Sequence, residues 1–164
     1  MLSEEAKARI EAEAALYPSR RSALSEALMA AQAERGWLSD EALAEVAREL
    51  GLSAASAESV ATFYELVMRR RVGPHVILVC DSVSCWIRGG ESLLDRLKKR
   101  LGVELGGTSA DGLFTLLPAG CLGLCERAPA LMIDGRVYGD LTGEGLDALI
   151  DEIKEASRGD AAVR

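Results

Sequence analysis

Four cysteines are the residues of this 164-residue chain whose type and spacing could do chemistry. They form two pairs, Cys80-x4-Cys85 and Cys121-x3-Cys125, separated by residues 86–120. Thiols so placed could make disulfides, a redox pair, a zinc site or an iron–sulfur site. Disulfides within a pair would close very short loops, and a reducing cytoplasm would open them. A thioredoxin-type redox pair needs Cys-x-x-Cys at a helix N-terminus, and neither pair has that spacing. Structural zinc is a serious competitor, because four-thiolate zinc sites tolerate spacings up to x4. A four-thiolate iron–sulfur cluster fits at least as well, since its loops must span two metals and their bridging sulfides. The spacing is not that of a plant-type ferredoxin, and the single histidine, His75, excludes a two-histidine Rieske centre.

The residues beside the thiols favour a cluster. Gly120 and Gly123 can turn backbone N–H groups toward sulfur, which offsets the negative charge of a thiolate-bound cluster. Asp81, Glu126 and Arg127 flank the cysteines and suit a solvated rim. Trp86 follows Cys85 directly, and either packs in the loop, shields the site or faces a partner. His75 reads as a surface residue at the start of a strand.

The elements that must position these thiols come in two parts, giving an α+β chain. Leu2, Ala6, Ile10 and Ala14 repeat at helical spacing, continued by Tyr17. Pro18 interrupts, and Ser19 can cap a second helix carrying Leu24, Leu28 and Ala31 and ending at Gly36. Ser39 caps a third, with Asp40 and Glu41 in its first turn and Leu43, Val46, Ala47 and Leu50 buried. A fourth is expected from Ser53 or Ser56 through "AESVATFYELVM", with Phe63 and Tyr64 filling the core. Residues 1–72 therefore read as a helical domain. Gly73-Pro74 marks the boundary.

Beyond it, "HVILVC" (75–80) suits a strand buried on both faces. "GGESLLDRLKKRLG" (89–102) is an amphipathic helix, and "LFTLLP" (113–118) is a second strand. Two short strands flank Asp134-Gly135, a hairpin signal. Thr142 caps a last helix with Leu146, Leu149, Ile150 and Ile153 buried. Strand, crossover helix and strand make a right-handed βαβ unit, and hairpin and helix complete a thioredoxin-like α/β domain over 73–157. If the first two strands are parallel neighbours, both cysteine pairs emerge at one rim. Residues 158–164 read as a disordered tail.

Composition limits the function classes. The net charge is −7 and no basic run is longer than Arg69-Arg70-Arg71, a poor footing for nucleic acid. That run reads as a solvated or partner-facing edge. No window approaches the roughly 18 apolar residues of a membrane span, and the N-terminus lacks the apolar core of a signal peptide. The expectation is a cytoplasmic protein without direct membrane insertion. No glycine-rich dinucleotide fingerprint follows a strand, so an NADH site is not expected here.

"CDSVSCWIRGG" with "GLFTLLPAGCLGLCERAPALMIDG" closely resembles the thioredoxin-like [2Fe–2S] E-subunits of bacterial NADH-quinone oxidoreductase, respiratory complex I. "GWLSDEALAEVA" (36–47) and "VATFY" (60–64) resemble the helical part of that family. The likeness covers about residues 5–155, with no ligand position substituted. It implies that Cys80, Cys85, Cys121 and Cys125 ligate one binuclear [2Fe–2S] cluster of N1a type. It further implies docking on the flavoprotein F-subunit, which carries FMN and the NADH site, and contact with further complex I subunits at the inner membrane. The chain would transfer electrons as part of an oxidoreductase, with no catalytic residue of its own. Related subunits serve NAD-dependent formate dehydrogenases and NAD-coupled hydrogenases, and a four-cysteine zinc module remains the alternative from another class. In thioredoxin-like folds a cis-proline often sits where Pro129 stands, and the sequence leaves cis and trans open.

Overall fold

The computed structural model describes residues 2–162. The chain divides into two compact units, Met1–Val72 and Gly73–Arg164. The first is helical: α1 (Glu4–Ala14), a 3-10 turn (Arg20–Ala23), α2 (Leu24–Gln32), α3 (Asp40–Glu49) and α4 (Ala54–Ala61). Serine hydroxyls satisfy the free amides at three helix starts: Ser3 accepts from Ala6 N–H, Ser39 from Ala42 and Ser53 from Ser56. The inward stripes meet in a core around Ile10, Leu28, Leu38 and Val46.

Three expectations for this unit are corrected. Ser19 caps no helix; the 3-10 turn intervenes and α2 begins at Leu24. Tyr17 lies beyond the end of α1 and is part-exposed. Most consequentially, α4 stops at Ala61 instead of running through Met68. Gln32 explains the stop. Its side chain donates to Leu66 O (2.8 Å) and accepts from Met68 N–H (2.6 Å), while Leu38 N–H donates to Met68 O (2.8 Å). These tertiary bonds satisfy the 66–68 backbone outside a helix and bury Val67 and Met68. Phe63 and Tyr64 are therefore turned out of the core, 78% and 49% exposed, in an edge-to-face pair. The arginine run is not a free edge throughout: Arg69 bridges Asp40 (2.6 Å) and Glu58 (2.8 Å), and Arg71 lies over the Trp37 ring.

The second unit contains β1 (His75–Cys80), α5 (Val83–Ile87), α6 (Gly90–Leu101), β2 (Phe114–Ala119), a 3-10 turn (Cys125–Arg127), β3 (Leu131–Ile133), β4 (Arg136–Tyr138) and α7 (Gly143–Ala162). The sheet order is β2-β1-β3-β4. β1 and β2 are parallel, paired from His75–Phe114 to Cys80–Ala119, whereas β1–β3 and β3–β4 are antiparallel. The β3–β4 turn places Asp134 and Gly135 at φ 50° and 83°, as an Asp-Gly hairpin demands. Ile77, Phe114, Leu116 and Leu131 bury the sheet face against Leu97 of α6 and Leu146 and Ile150 of α7. Thr142 Oγ1 accepts from Gly145 N–H (3.1 Å) at the start of α7.

Three features depart from expectation. The short helix α5 has no counterpart in the sequence pattern, and it carries Cys85. The described part of the expected tail continues α7 as far as Ala162, and residues 163 and 164 lie outside the described residues. His75 is not a free surface residue: Nδ1 meets Asp134 Oδ2 (2.6 Å) and Nε2 meets Ser157 Oγ (2.7 Å).

Candidate metal centre

The parallel β1–β2 pair brings both cysteine loops to one rim. Cys80 is the last residue of β1, opposite Ala119, and Asp81 N–H donates to Ala119 O (3.0 Å), so the chain leaves both strands side by side. After β1, α5 turns Cys85 inward while Val83, Trp86 and Ile87 face solvent. After β2, residues 120–124 loop to the 3-10 turn that starts at Cys125. Cys80 and Cys85 are buried with Ala128 and Ala130 in a small cluster of their own, flanked by Leu122 and Leu124. Cys121 and Cys125 are exposed, and all four are free thiols.

Cys121 Sγ lies 3.8 Å from Cys125 Sγ, and Gly123 N–H points at Cys121 Sγ from 3.5 Å. Gly123 reaches this pose at φ +75°, a conformation that side-chain-bearing residues rarely adopt. The Gly123 amide, and next the Cys125 thiol, hold the Cys121 thiol below the ordinary cysteine range, with Ser82 and Cys80 adding. The Cys125 thiol, hydrogen-bonded to Cys121, is pushed up, with Ser84 opposing. Burial first, and then Cys80, push the Cys85 thiol up. The four thiols thus form one interacting group.

Neighbouring segments brace this group. Pro129 follows a cis peptide bond, and Ala130 O accepts from Cys80 N–H (3.3 Å). Arg88 Nε donates to Ala128 O (3.3 Å). Arg127 pairs with Asp140 (2.7 Å), and Asp140 N–H donates to Arg127 O, fixing the turn behind Cys125. A Cβ on Gly90 would stand 2.8 Å from Cys85 O, so only glycine allows α6 to start so close to α5.

Sequence reasoning named the four cysteines and Gly123. It missed Ser82, Ser84, Gly90 and Asp140. The two serines alternate with apolar residues inside "CDSVSC", a pattern that could have drawn notice. Gly90 and Asp140 act through close approach of distant segments and carry no local signal.

The donor set fits a binuclear cluster. Thiolates about 2.3 Å from one tetrahedral metal stand ~3.8 Å apart, the spacing of Cys121 and Cys125. Among the described residues no three His, Cys, Asp or Glu side chains form a single-ion site. Buried Cys80 and Cys85 and exposed Cys121 and Cys125 offer four soft donors and no competing imidazole.

The chain matches the family of thioredoxin-like [2Fe–2S] ferredoxins over residues 10–154, and belongs to it. The cofactor of that family is the [2Fe–2S] cluster. Among its relatives, the NADH-quinone oxidoreductase E-subunit of Pseudomonas aeruginosa is 46% identical over 151 residues, 92% of this chain and 91% of the relative. The protein of the same name in Escherichia coli K12 is 43% identical over 145 residues, 88% of this chain and 87% of the relative. Among solved structures, an NAD+-reducing [NiFe]-hydrogenase in the air-oxidized state matches with a TM-score of 0.67 and 28% identity. That match covers 79% of this chain but only 23% of the longer hydrogenase chain. Among the described residues, no helix is long and apolar enough to cross a membrane.

Proposed function

We propose that this chain is the electron-transfer subunit of an NADH-quinone oxidoreductase of complex I type. Cys80, Cys85, Cys121 and Cys125 hold one [2Fe–2S] cluster, with Cys121 and Cys125 on one iron and Cys80 and Cys85 on the other. The observation that carries this reading is the convergence of both cysteine pairs at the β1–β2 rim. When bound, such a cluster takes up and releases one electron at a time. The chain's own residues do the rest. The parallel strands fix the spacing between the two loops, and the Gly123 amide, directed at a thiolate sulfur, offsets its charge. Ala128, Ala130 and the inner side of α5 keep water from Cys80 and Cys85, while the exposed Cys121–Cys125 edge leaves a path to a donor.

The donor is FMN on the flavoprotein F-subunit, where NADH is oxidised; neither cofactor resides on this chain. The assembly lies in the cytoplasm against the inner membrane, held there by other subunits. This reading is supported by relatives that carry the complex I subunit name and match nearly end to end. The hydrogenase match favours a second reading, in which the same chain serves an NAD-coupled hydrogenase. Affinity purification of the full chain from its own cells separates the two. Co-purifying quinone-linked membrane subunits support complex I, and a nickel–iron subunit in their place overturns it.

A further inference from the structure

A shallow cleft of roughly 210 Å³ opens beside α5. Trp86, Leu94, Leu105 and Pro118 give its apolar walls, and Asp81 and Glu91 are the charged residues that line it. Among the described residues no lysine or arginine lines the cleft, and neither carboxylate has an ion-pair partner. Around it the surface is unusually apolar: Val83, Trp86 and Ile87 are 64%, 57% and 70% exposed, and Leu105 is 40% exposed. Exposed apolar side chains gathered in this way mark an interaction surface. Two acidic groups above an apolar wall that includes a tryptophan match one side chain best. Arginine can lay its hydrocarbon stem along leucine and proline, stack its guanidinium on an indole ring and still reach a carboxylate.

We infer that this cleft is the seat for an arginine-bearing loop of the flavin-bearing partner. The inference rests on the reading given under Proposed function. The stem of the arginine packs on Leu94, Leu105 and Pro118, and its guanidinium meets the Trp86 ring, Asp81 and Glu91. Val83 and Ile87 extend the contact across the outer side of α5. The position suits this partner above others. Cys85 is on the inner side of the same five-residue helix, and a helix is about 10 Å across. A protein seated on the outer side is therefore close to the thiol cage, where an electron donor must be. A tryptophan in an apolar pocket with a charged rim is also the composition of an interface hot spot.

The test measures affinity between the full, cluster-loaded chain and the flavoprotein partner, at low and high salt. Glu91→Lys is expected to weaken the complex roughly 10-fold or more, because it sets like charge against the arginine. Glu91→Gln weakens it less and reduces the salt dependence. Leu105→Glu weakens it roughly 10-fold when compared at matched iron content, since Cys80 lines the same cleft. Hydrogen exchange on the unmodified complex serves where a variant fails to fold, with slowed exchange expected at residues 83–87 and 105. Unchanged affinity in folded, loaded Glu91→Lys and Leu105→Glu chains, or no slowing at those residues, overturns the inference while leaving the function reading intact. An unmodified loaded chain that fails to bind the flavoprotein overturns both.

Discussion

Cys80 and Ala119 are the final partnered residues of the parallel β1–β2 ladder. That pairing sets where both cysteine loops leave the sheet. One strand ends on a ligand candidate and the other ends two residues before Cys121, so two loops far apart in sequence close over one point. A parallel pair fixes this spacing more firmly than a flexible loop could.

If four thiolates share one cluster, no member is dispensable. Each of Cys80→Ala, Cys85→Ala, Cys121→Ala and Cys125→Ala is expected to bring visible absorbance, iron and acid-labile sulfide close to background in anaerobically purified protein. A single variant that keeps the full complement of iron and sulfide would remove that cysteine from the ligand set.

Two glycines brace the cage for different reasons, and alanine separates them. At Gly123 a Cβ has open space, so Gly123→Ala incurs mainly the cost of φ +75°, about 1–2 kcal/mol, and disturbs the amide directed at Cys121. At Gly90 the added Cβ meets Cys85 O, so Gly90→Ala must shift α5 against α6 and costs about 1–3 kcal/mol. Denaturant titration gives both losses. Faster release of iron to a chelator is expected in each variant, and wild-type release in both would show that neither glycine supports the cage.

The two cores are expected to respond separately. Leu28 is fully buried in the helical unit and Leu97 in the sheet unit. Truncation to alanine costs about 2–5 kcal/mol at either site. Leu28→Ala should leave iron content near that of the unmodified chain, because its contacts belong to the other core. Thermal unfolding with iron analysis checks both points, and loss of iron in Leu28→Ala at temperatures where it stays folded would contradict them.

How much of this was legible in the sequence depended on the range of the interactions. The apolar runs at 75–80 and 113–118, the helical stripes of α3 and α6 and the Asp134-Gly135 turn signal marked their elements, because burial and turn geometry write themselves into local composition and spacing. The cysteines were legible because their spacing excludes a redox pair. The 62–68 segment misled, since its apolar residues follow helical spacing while Gln32 and Leu38 hold its backbone outside a helix. The exposure of Phe63 and Tyr64 follows from that long-range clamp. The helix α5 was illegible for a related reason: five residues are too few to show a period. Ser82 and Ser84 escaped notice because their relevance lies in proximity to Cys121 and Cys125, which only the fold creates.

Acid stability offers a further check away from the cage. The Ser109 hydroxyl (2.5 Å) and next the Leu113 N–H (3.0 Å) donate to Asp111 Oδ1 and hold its carboxyl below the usual range. A depressed folded-state value means that the unfolded chain binds the proton more readily. The stabilisation is therefore complete above the unfolded carboxyl value near pH ~3.9, and fades as pH falls through the lower folded value. Asp111→Asn should flatten the dependence of unfolding free energy on pH in that acidic window and leave the slope near neutrality unchanged. An identical acidic slope in the variant would refute this role.

The most direct measurement is the visible and paramagnetic spectrum of the anaerobically purified full chain, with and without reductant, alongside metal and sulfide analysis. The expected result is a reddish protein with about two irons and two acid-labile sulfides per chain, bleached by reductant, with a paramagnetic signal in the reduced state alone. A colourless protein with about one zinc per chain and no signal on reduction would contradict it.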